Sequence, residues 1–228
     1  MVVERNPTGT SLHVFDMDGT LLRGTATIEL ARKMGQLEIG HEIERRWFNG
    51  TISDNDFWLQ LLKICEKATA ADLQDAFENA PWMDGIAETF ADINARGEAA
   101  IVISQSPAFF VRGLELWGAS ESYGSTVEVG EPLVIAATLM PMVKVSITGS
   151  SLAARNLSPN ACVVYGDSSS DLELFRNFPN SVAVNATPAL ASLAASRYEG
   201  TDIREAYALG RELLARTTRK QPTHGGAH

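Results

Sequence analysis

Two short acidic stretches, one serine and one lysine carry residue types suited to chemistry on an anion. Asp16-Met-Asp-Gly-Thr20 sets two carboxylates two residues apart, directly after the apolar run at 11–15. Gly166-Asp-Ser-Ser-Ser-Asp171 follows a second apolar run, 161–165, and brings two more carboxylates, Asp167 and Asp171. Between them lie Ser104, just past the run 99–103, and Lys144, the one lysine outside 24–80 apart from Lys220 at the edge of the C-terminal tail. Carboxylates gathered at one edge repel one another unless a cation stands between them. Hard oxygen donors without a nearby His or Cys suit Mg²⁺, which keeps several waters and often shares its site with a phosphate. A calcium loop fits poorly, because Gly19 is fourth from Asp16 and the sixth and twelfth positions lack the required Gly and Glu. Asp-Gly alone is also an ordinary turn signal; a second acidic loop after another apolar run is what favours chemistry. Ser104 is compatible with ending a strand and capping a helix, and equally with donating its hydroxyl to a phosphate oxygen. Lys144 is either a solvated side chain or a cation for phosphoryl oxygens.

The elements around these residues alternate. Residues 11–15 read as a buried strand, and from 25 to 79 apolar residues recur at three- and four-residue spacing, predicting about four short helices. Ser53 and Thr69 stand at N-cap positions, each followed by acidic residues in the next turn. Beyond Pro81 the pattern predicts a helix at 84–95, a strand at 99–103 and a helix with Pro107 at its first position. Short strands are expected within 123–140, then a helix at 142–155, a strand at 161–165, a further helix, a strand at 181–184, a helix from Pro188 and a last helix at 203–215. Strands separated by helices imply an α/β protein with a Rossmann-like, doubly wound parallel sheet and a small helical cap inserted after the first strand. The expected organisation is a core of 1–23 and 81–220, a helical cap of 24–80, and a disordered tail of 221–228.

Composition narrows the partners. The 228 residues carry a formal charge of −9, which argues against nucleic acid or an anionic membrane as a partner. The longest mostly apolar stretch, 133–143, is too short for a bilayer, and 1–10 does not read as a signal peptide. Cys65 and Cys162 form no disulfide or zinc pattern, so a reducing cytoplasm is the simplest setting. Neither has an Arg six residues later, as a cysteine-nucleophile phosphate loop would need, and no Arg-His-Gly occurs for a histidine nucleophile.

Asp16-Met-Asp-Gly-Thr20, Ser104, Lys144 and Gly166-Asp167 with Asp171 resemble, in order and spacing, the four motifs of the haloacid dehalogenase superfamily of aspartate-nucleophile phosphatases. The helical insert is similar to the cap of the phosphoserine-phosphatase-like branch, and the resemblance runs from Leu12 to about Ala195. It implies that Asp16 attacks phosphorus and becomes an aspartyl-phosphate. Asp18 would protonate the leaving alcohol, later take a proton from water, and bind Mg²⁺ through its backbone carbonyl. Asp167 would complete the protein's metal ligands, with Asp171 in support through Lys144 or a metal-bound water. Ser104 and Lys144 would hold the phosphoryl oxygens, and Thr20 with the backbone of Met17 and Gln105 would complete the phosphate cradle.

One departure bears on the substrate. Phosphoserine phosphatases hold their amino acid with a Glu shortly after the first motif and an Arg in the cap; ungapped alignment places Thr25 and Leu61 there. The implied substrate is therefore a small phosphorylated metabolite other than phosphoserine, because burying an amino acid's charges unpaired is costly. Arg23, Trp58 and Leu61 are the expected discriminating positions, with Arg45 or Arg46 open to either solvation or an anionic group. Trp47, Phe48, Phe57 and Trp58 suit a helical core or an apolar wall over the site. A phosphotransferase or mutase using the same intermediate, or a retired binding module, are the alternatives to a phosphatase.

Overall fold

The computed structural model describes residues 11–134 and 137–220; the expectations for 1–10 and 221–228 lie outside the described residues. Strand β1 (Leu12–Phe15) is buried along its whole length. Four helices follow it, α1 (Ala26–Lys33), α2 (Leu37–Phe48), α3 (Asp54–Ile64) and α4 (Ala70–Glu78), as the periodicity predicts. Ser53 and Thr69 each accept from the backbone N–H three residues on, while Asp56 and Asp72 reach back to the cap N–H. These reciprocal bonds satisfy donors that a helix start otherwise leaves orphaned.

The chain then continues through α5 (Ile86–Ala95), β2 (Ala99–Pro107), α6 (Ala108–Val111), α7 (Gly113–Leu116), β3 (Glu121–Ser125) and α8 (Pro141–Ala154). It closes with β4 (Cys162–Gly166), α9 (Leu172–Asn177), β5 (Asn180–Val184), α10 (Pro188–Ala191), β6 (Ser196–Tyr198) and α11 (Ile203–Lys220). All pairings in the six-stranded sheet are parallel, in the order β3-β2-β1-β4-β5-β6. The chain winds from β1 outward to β2 and β3, then returns to the other side of β1 for β4. The carboxyl ends of β1 and β4 thus flank the switch point, where open sheets leave a crevice for ligands. The register pairs Phe15 with Tyr165, so Asp16 emerges beside Gly166 and Asp167.

Side chains alternate between the two faces of the sheet. Phe15, Ala100, Val102, Val163 and Tyr165 join a core that includes residues of α5 and α11, whereas Leu12, Val14, Ile101, Ile103 and Val164 pack with Leu152 of α8 and Leu174 and Phe175 of α9. Phe77 of α4 fastens the inserted helices to the first core, with ring centroids 5.4 Å from Phe110 and 4.9 Å from Trp117. A Cβ on Gly113 would lie 2.5 Å from the Phe77 ring, so this close approach needs the glycine. Among the described residues, no helix is long and apolar enough to cross a membrane.

Three expectations require correction. Strand β2 runs past Ile103 to Pro107, because Pro107 pairs with Ser125 of β3 after a register shift; Ser104 is a strand residue, and Pro107 precedes α6 instead of opening it. Within 123–140 only the end of β3 is a strand in the described residues, consistent with Gly130 at φ +86° and Pro132 breaking the run. Strand β6, only three residues long, is too short to leave a periodic signal.

A polar network crosses the first core. His13, fully buried in β1, shares hydrogen bonds with the Tyr165 hydroxyl (3.0 Å) and with Glu98 (3.2 Å), and Arg211 of α11 donates to the same Glu98 oxygen. Burial holds His13 below its usual range, and a neutral ring donating from Nε2 to Glu98 and accepting at Nδ1 satisfies both partners. Burial opposes Glu98's charge, yet the hydrogen bonds from His13 and Arg211 outweigh it and bring the carboxyl down to about 2 from an ordinary 4.5. Between those values the unfolded chain binds more protons than the folded one, so stability is fully present above 4.5 and falls as pH drops toward 2. Glu98→Gln is expected to flatten that acid limb of Tm against pH. It should also cost roughly 1 kcal/mol at neutral pH, since neutral hydrogen bonds replace the charge-assisted ones to His13 and Arg211, at about 2–4 °C in Tm per kcal/mol. An acid limb identical to wild type would refute this role.

Candidate active site

The first acidic loop is held from below. Asp16 N–H donates to the Tyr165 carbonyl at 3.0 Å, and the Met17 carbonyl accepts from the N–H groups of Thr20, Leu21 and Leu22. Met17, Leu21 and Leu22 are buried and anchor the turn apolarly. Gly19 takes φ +78°, and a Cβ there would come within 2.2 Å of Asp167 Oδ2. This turn therefore needs glycine twice over, for its left-handed backbone and for the approach of the second acidic loop.

Lys144 reaches the site from α8 and is completely buried. Its Nζ donates to Asp16 Oδ1 at 2.8 Å, to Asp171 Oδ1 at 2.7 Å and to Ser170 Oγ at 3.2 Å. Burial opposes its charge, but Asp16 and Asp171 outweigh that penalty and hold the ammonium protonated well above its usual range. Lysine in this position supplies a compact charge with three donors, all used here. Burial raises the Asp16 carboxyl well above the usual range, with Asp171 adding repulsion and Lys144 opposing both. Burial and Asp171 push Asp167 up to about 7.

Asp18 faces a different set of partners. Its Oδ2 accepts from Ser104 Oγ (3.0 Å) and Ser106 Oγ (2.6 Å), and its Oδ1 from the backbone N–H of Ala26 (2.7 Å), the first residue of α1. Burial raises its pKa despite these donors. Lys144 opposes the rise at Asp16, while Asp18, held by hydroxyl and backbone donors, is a group beside it able to carry a proton.

Carboxylate oxygens of Asp16, Asp167 and Asp171 lie within 4.8 Å of one another. Asp167 Oδ1 is buried and has no hydrogen-bond partner among the described residues. Three carboxylates facing one lysine, with an orphaned buried oxygen among them, fit a hard divalent cation such as Mg²⁺. The Asp18 side chain stands outside this group, its oxygens already engaged by Ser104, Ser106 and Ala26.

Above the carboxylates opens a cavity of about 140 Å³, which admits a small metabolite but no folded macromolecule. Asp16, Asp18, Ser104, Gln105, Ser106 and Ser168–Ser170 form its floor, and Thr25, Thr27, Glu44, Trp47, Phe48, Asp54, Phe57 and Trp58 its walls from the inserted helices. Both readings of the aromatic stripe hold for Phe57 and Trp58, which line the cavity and belong to the core. Several expected positions fall elsewhere. Leu61 packs in the core beside α1, since it lies on the inner face of α3. Arg23 is exposed, its Nε donating to the Pro81 carbonyl at 3.3 Å, and Arg45 pairs on the surface with Glu42. Neither Arg23, Leu61, Arg45 nor Arg46 lines the cavity. Thr20 is buried beneath the loop, with its hydroxyl lacking a partner among the described residues. The Ser104 hydroxyl turns to Asp18, and its expected helix start lies four residues further on, in the four-residue α6.

Sequence reasoning passed over Ser106 and Glu44. Ser106 stands two residues after Ser104, on the same side of an extended strand, a period-two signal hidden by reading the strand as ending at 103. Glu44 sits three residues before Trp47 on α2, at helical spacing with the aromatic stripe.

The match with known proteins agrees with this geometry. Residues 13–176 match the family model described as haloacid dehalogenase-like hydrolase. Phosphoserine phosphatase of Idiomarina loihiensis is 23% identical over 190 residues, covering 81% of this chain and 86% of that protein. A structure of a phospho-aspartyl intermediate analogue of phosphoserine phosphatase superposes with TM-score 0.71 at 20% identity, covering 87% of this chain and 97% of the other. A family hydrolase from Salmonella enterica serovar Typhi gives TM-score 0.75 at 18% identity, over 87% of this chain and 71% of that one. With more than half its length matched and its acidic loops meeting at the switch point of the sheet, the chain belongs to the haloacid dehalogenase-like hydrolase family.

Proposed function

We propose that this protein is a Mg²⁺-dependent phosphatase that hydrolyses a small phosphate monoester through an aspartyl-phosphate on Asp16. The observation that carries the reading is the buried Lys144 Nζ, 2.8 Å from Asp16 and 2.7 Å from Asp171, with Asp18 alongside on its own hydrogen bonds. Asp16 attacks phosphorus while the ester P–O bond breaks, and Asp18 delivers its proton to the departing alkoxide. Asp18 then takes a proton from water as that water attacks the phosphorus of the aspartyl-phosphate, which returns Asp16 as a carboxylate. Lys144 favours the ionised form of Asp16 against burial and Asp171 and adds positive charge near the phosphoryl oxygens. Ser104 and Ser106 orient the Asp18 carboxyl. Mg²⁺, when held by Asp16, Asp167 and Asp171 with the Asp18 carbonyl, offsets the repulsion between an anionic nucleophile and an anionic phosphate.

In this reading residues 24–80 are a cap over a core of 1–23 and 81–220, a division supported by the cavity between the inserted helices and the strand ends. Phosphoserine is disfavoured: Leu61 is in the core, and no Lys or Arg lines the cavity among the described residues, so the amino acid's carboxylate lacks a cationic partner. Two free, buried cysteines support a reducing, cytoplasmic setting.

Asp16→Asn is expected to lower kcat on an aryl phosphate by about 10⁴–10⁶; retention of more than a few per cent of activity refutes Asp16 as nucleophile. Asp18→Asn is expected to accumulate phosphoenzyme from an aryl phosphate, whose leaving group needs little protonation, and intact-mass measurement reads the added phosphoryl group. Full steady-state turnover by that variant removes Asp18 from the acid–base role. Chelation should silence the wild type, and Mg²⁺ should raise Tm for the wild type but much less for Asp167→Asn. Full activity in chelator, or an equal Tm rise in both proteins, argues against the metal assignment.

A further inference from the structure

The wall of the cavity that faces the departing alcohol is acidic and aromatic. Asp18, the group placed to protonate that alcohol, accepts from the Ala26 N–H; the preceding residue, Thr25, donates its hydroxyl to Glu44 Oε1. Glu44 thus stands on the leaving-group side of the site, one backbone step from the acid. Asp54 lines the same space, one oxygen held by the Trp47 indole N–H at 2.7 Å, and Phe57 and Trp58 supply aromatic surface beside it.

Among the described residues, no cation balances this wall. Among the described residues the cavity lining contains four carboxylates, Asp16, Asp18, Glu44 and Asp54, and no Lys, Arg or His. Lys144 is committed beneath the floor to Asp16 and Asp171. Glu44 makes no ion pair among the described residues, and burial, with Asp18 adding repulsion, pushes its carboxyl up to about 7. A half-buried carboxylate beside aromatic rings, without a counter-ion, is a receptor for a cationic nitrogen. A carboxylate on the ligand would meet only like charge there.

We infer that the leaving group carries a cationic nitrogen and no carboxylate, so that the substrate class is the phosphate monoester of an amino alcohol, with Glu44 as the specificity-determining residue. This rests on the phosphatase reading above. The ammonium contacts Glu44, which Thr25 keeps oriented, while the alcohol oxygen stays within reach of Asp18. A methylated nitrogen would rely more on Trp47, Phe57 and Trp58, and a primary amine more on the Glu44 carboxylate.

The test compares kcat/KM for 2-aminoethyl phosphate, choline phosphate, propyl phosphate and phosphoserine, with an aryl phosphate as reference. In the wild type one or both cationic esters should exceed propyl phosphate by roughly 10- to 100-fold, the range of one charge-assisted contact, and phosphoserine should fall below them. The favoured cation identifies the source, primary or quaternary. Glu44→Gln keeps an acceptor for Thr25 and should collapse the ratio of cationic to propyl ester toward one, chiefly through KM. Failure to hydrolyse the aryl phosphate overturns the phosphatase reading and this inference with it. Aryl phosphate hydrolysis with propyl phosphate equal to or better than both cationic esters overturns the inference alone, as does phosphoserine as the best substrate or a ratio that Glu44→Gln leaves unchanged.

Discussion

A single buried ammonium must be surrounded before anything else in this site can exist. Lys144 has no access to solvent, and a lysine in that state is tolerated only with full charge and hydrogen-bond compensation. The compensation comes from Asp16 after β1 and from Asp171 and Ser170 after β4, so three separate stretches of chain converge on one atom. The converse holds for the acids, since Asp16, Asp167 and Asp171 lie within 4.8 Å and would repel one another without the lysine. Helix α8 is therefore tied to the two central strand ends by charge, and its Leu152 joins the core on that face of the sheet.

The same site is tied to the inserted helices through Asp18. One oxygen accepts from two serines of β2 and the other from the first N–H of α1, a position where a helix leaves donors free and favours negative charge. The acid of the proposed reaction is thus positioned jointly by the sheet and by the inserted helices. Thr25, the N-cap of α1, extends the chain of contacts to Glu44. A shift of α1 or α2 relative to the sheet would therefore alter the surroundings of Asp18 and of Glu44 together. The aromatic cluster of Phe77, Trp82, Phe110 and Trp117 fastens the other end of the insert.

Much of this was legible in the linear chain. The alternation of buried runs with 3.6-periodic segments marked the α/β class, because burial on both faces of a parallel sheet leaves continuous apolar strands. The capping boxes at Ser53 and Thr69 are local chemistry and appeared where expected. Asp16, Asp18 and the second acidic loop stood out because charged residues directly after buried strands are costly unless they do something, and Lys144 because no other lysine lies between 81 and 219. Gly19 read as a turn residue, and its further need, the 2.2 Å approach of Asp167, depends on a loop nearly 150 positions away.

What the order of residues could not decide is where long-range packing turns each side chain. Leu61 and Trp58 lie three residues apart on α3, yet one joins only the core and the other also reaches the cavity, a distinction set by how α3 rests on α1 and α2. The strand containing Ser104 continued to Pro107 because β3 offered a partner, and that extension brought Ser106 to Asp18. Glu44 carried no motif; it became a wall of the site because α2 packs across α1 and sets its carboxylate against Thr25. The sequence by itself determined the element types, the acidic loops and the lysine, since those follow from local periodicity and charge. Tertiary structure alone decided which carboxylates share the lysine, which aromatics line the cavity and that Glu44 lines it too, because those depend on contacts between segments that only the folded sheet and its inserted helices bring together.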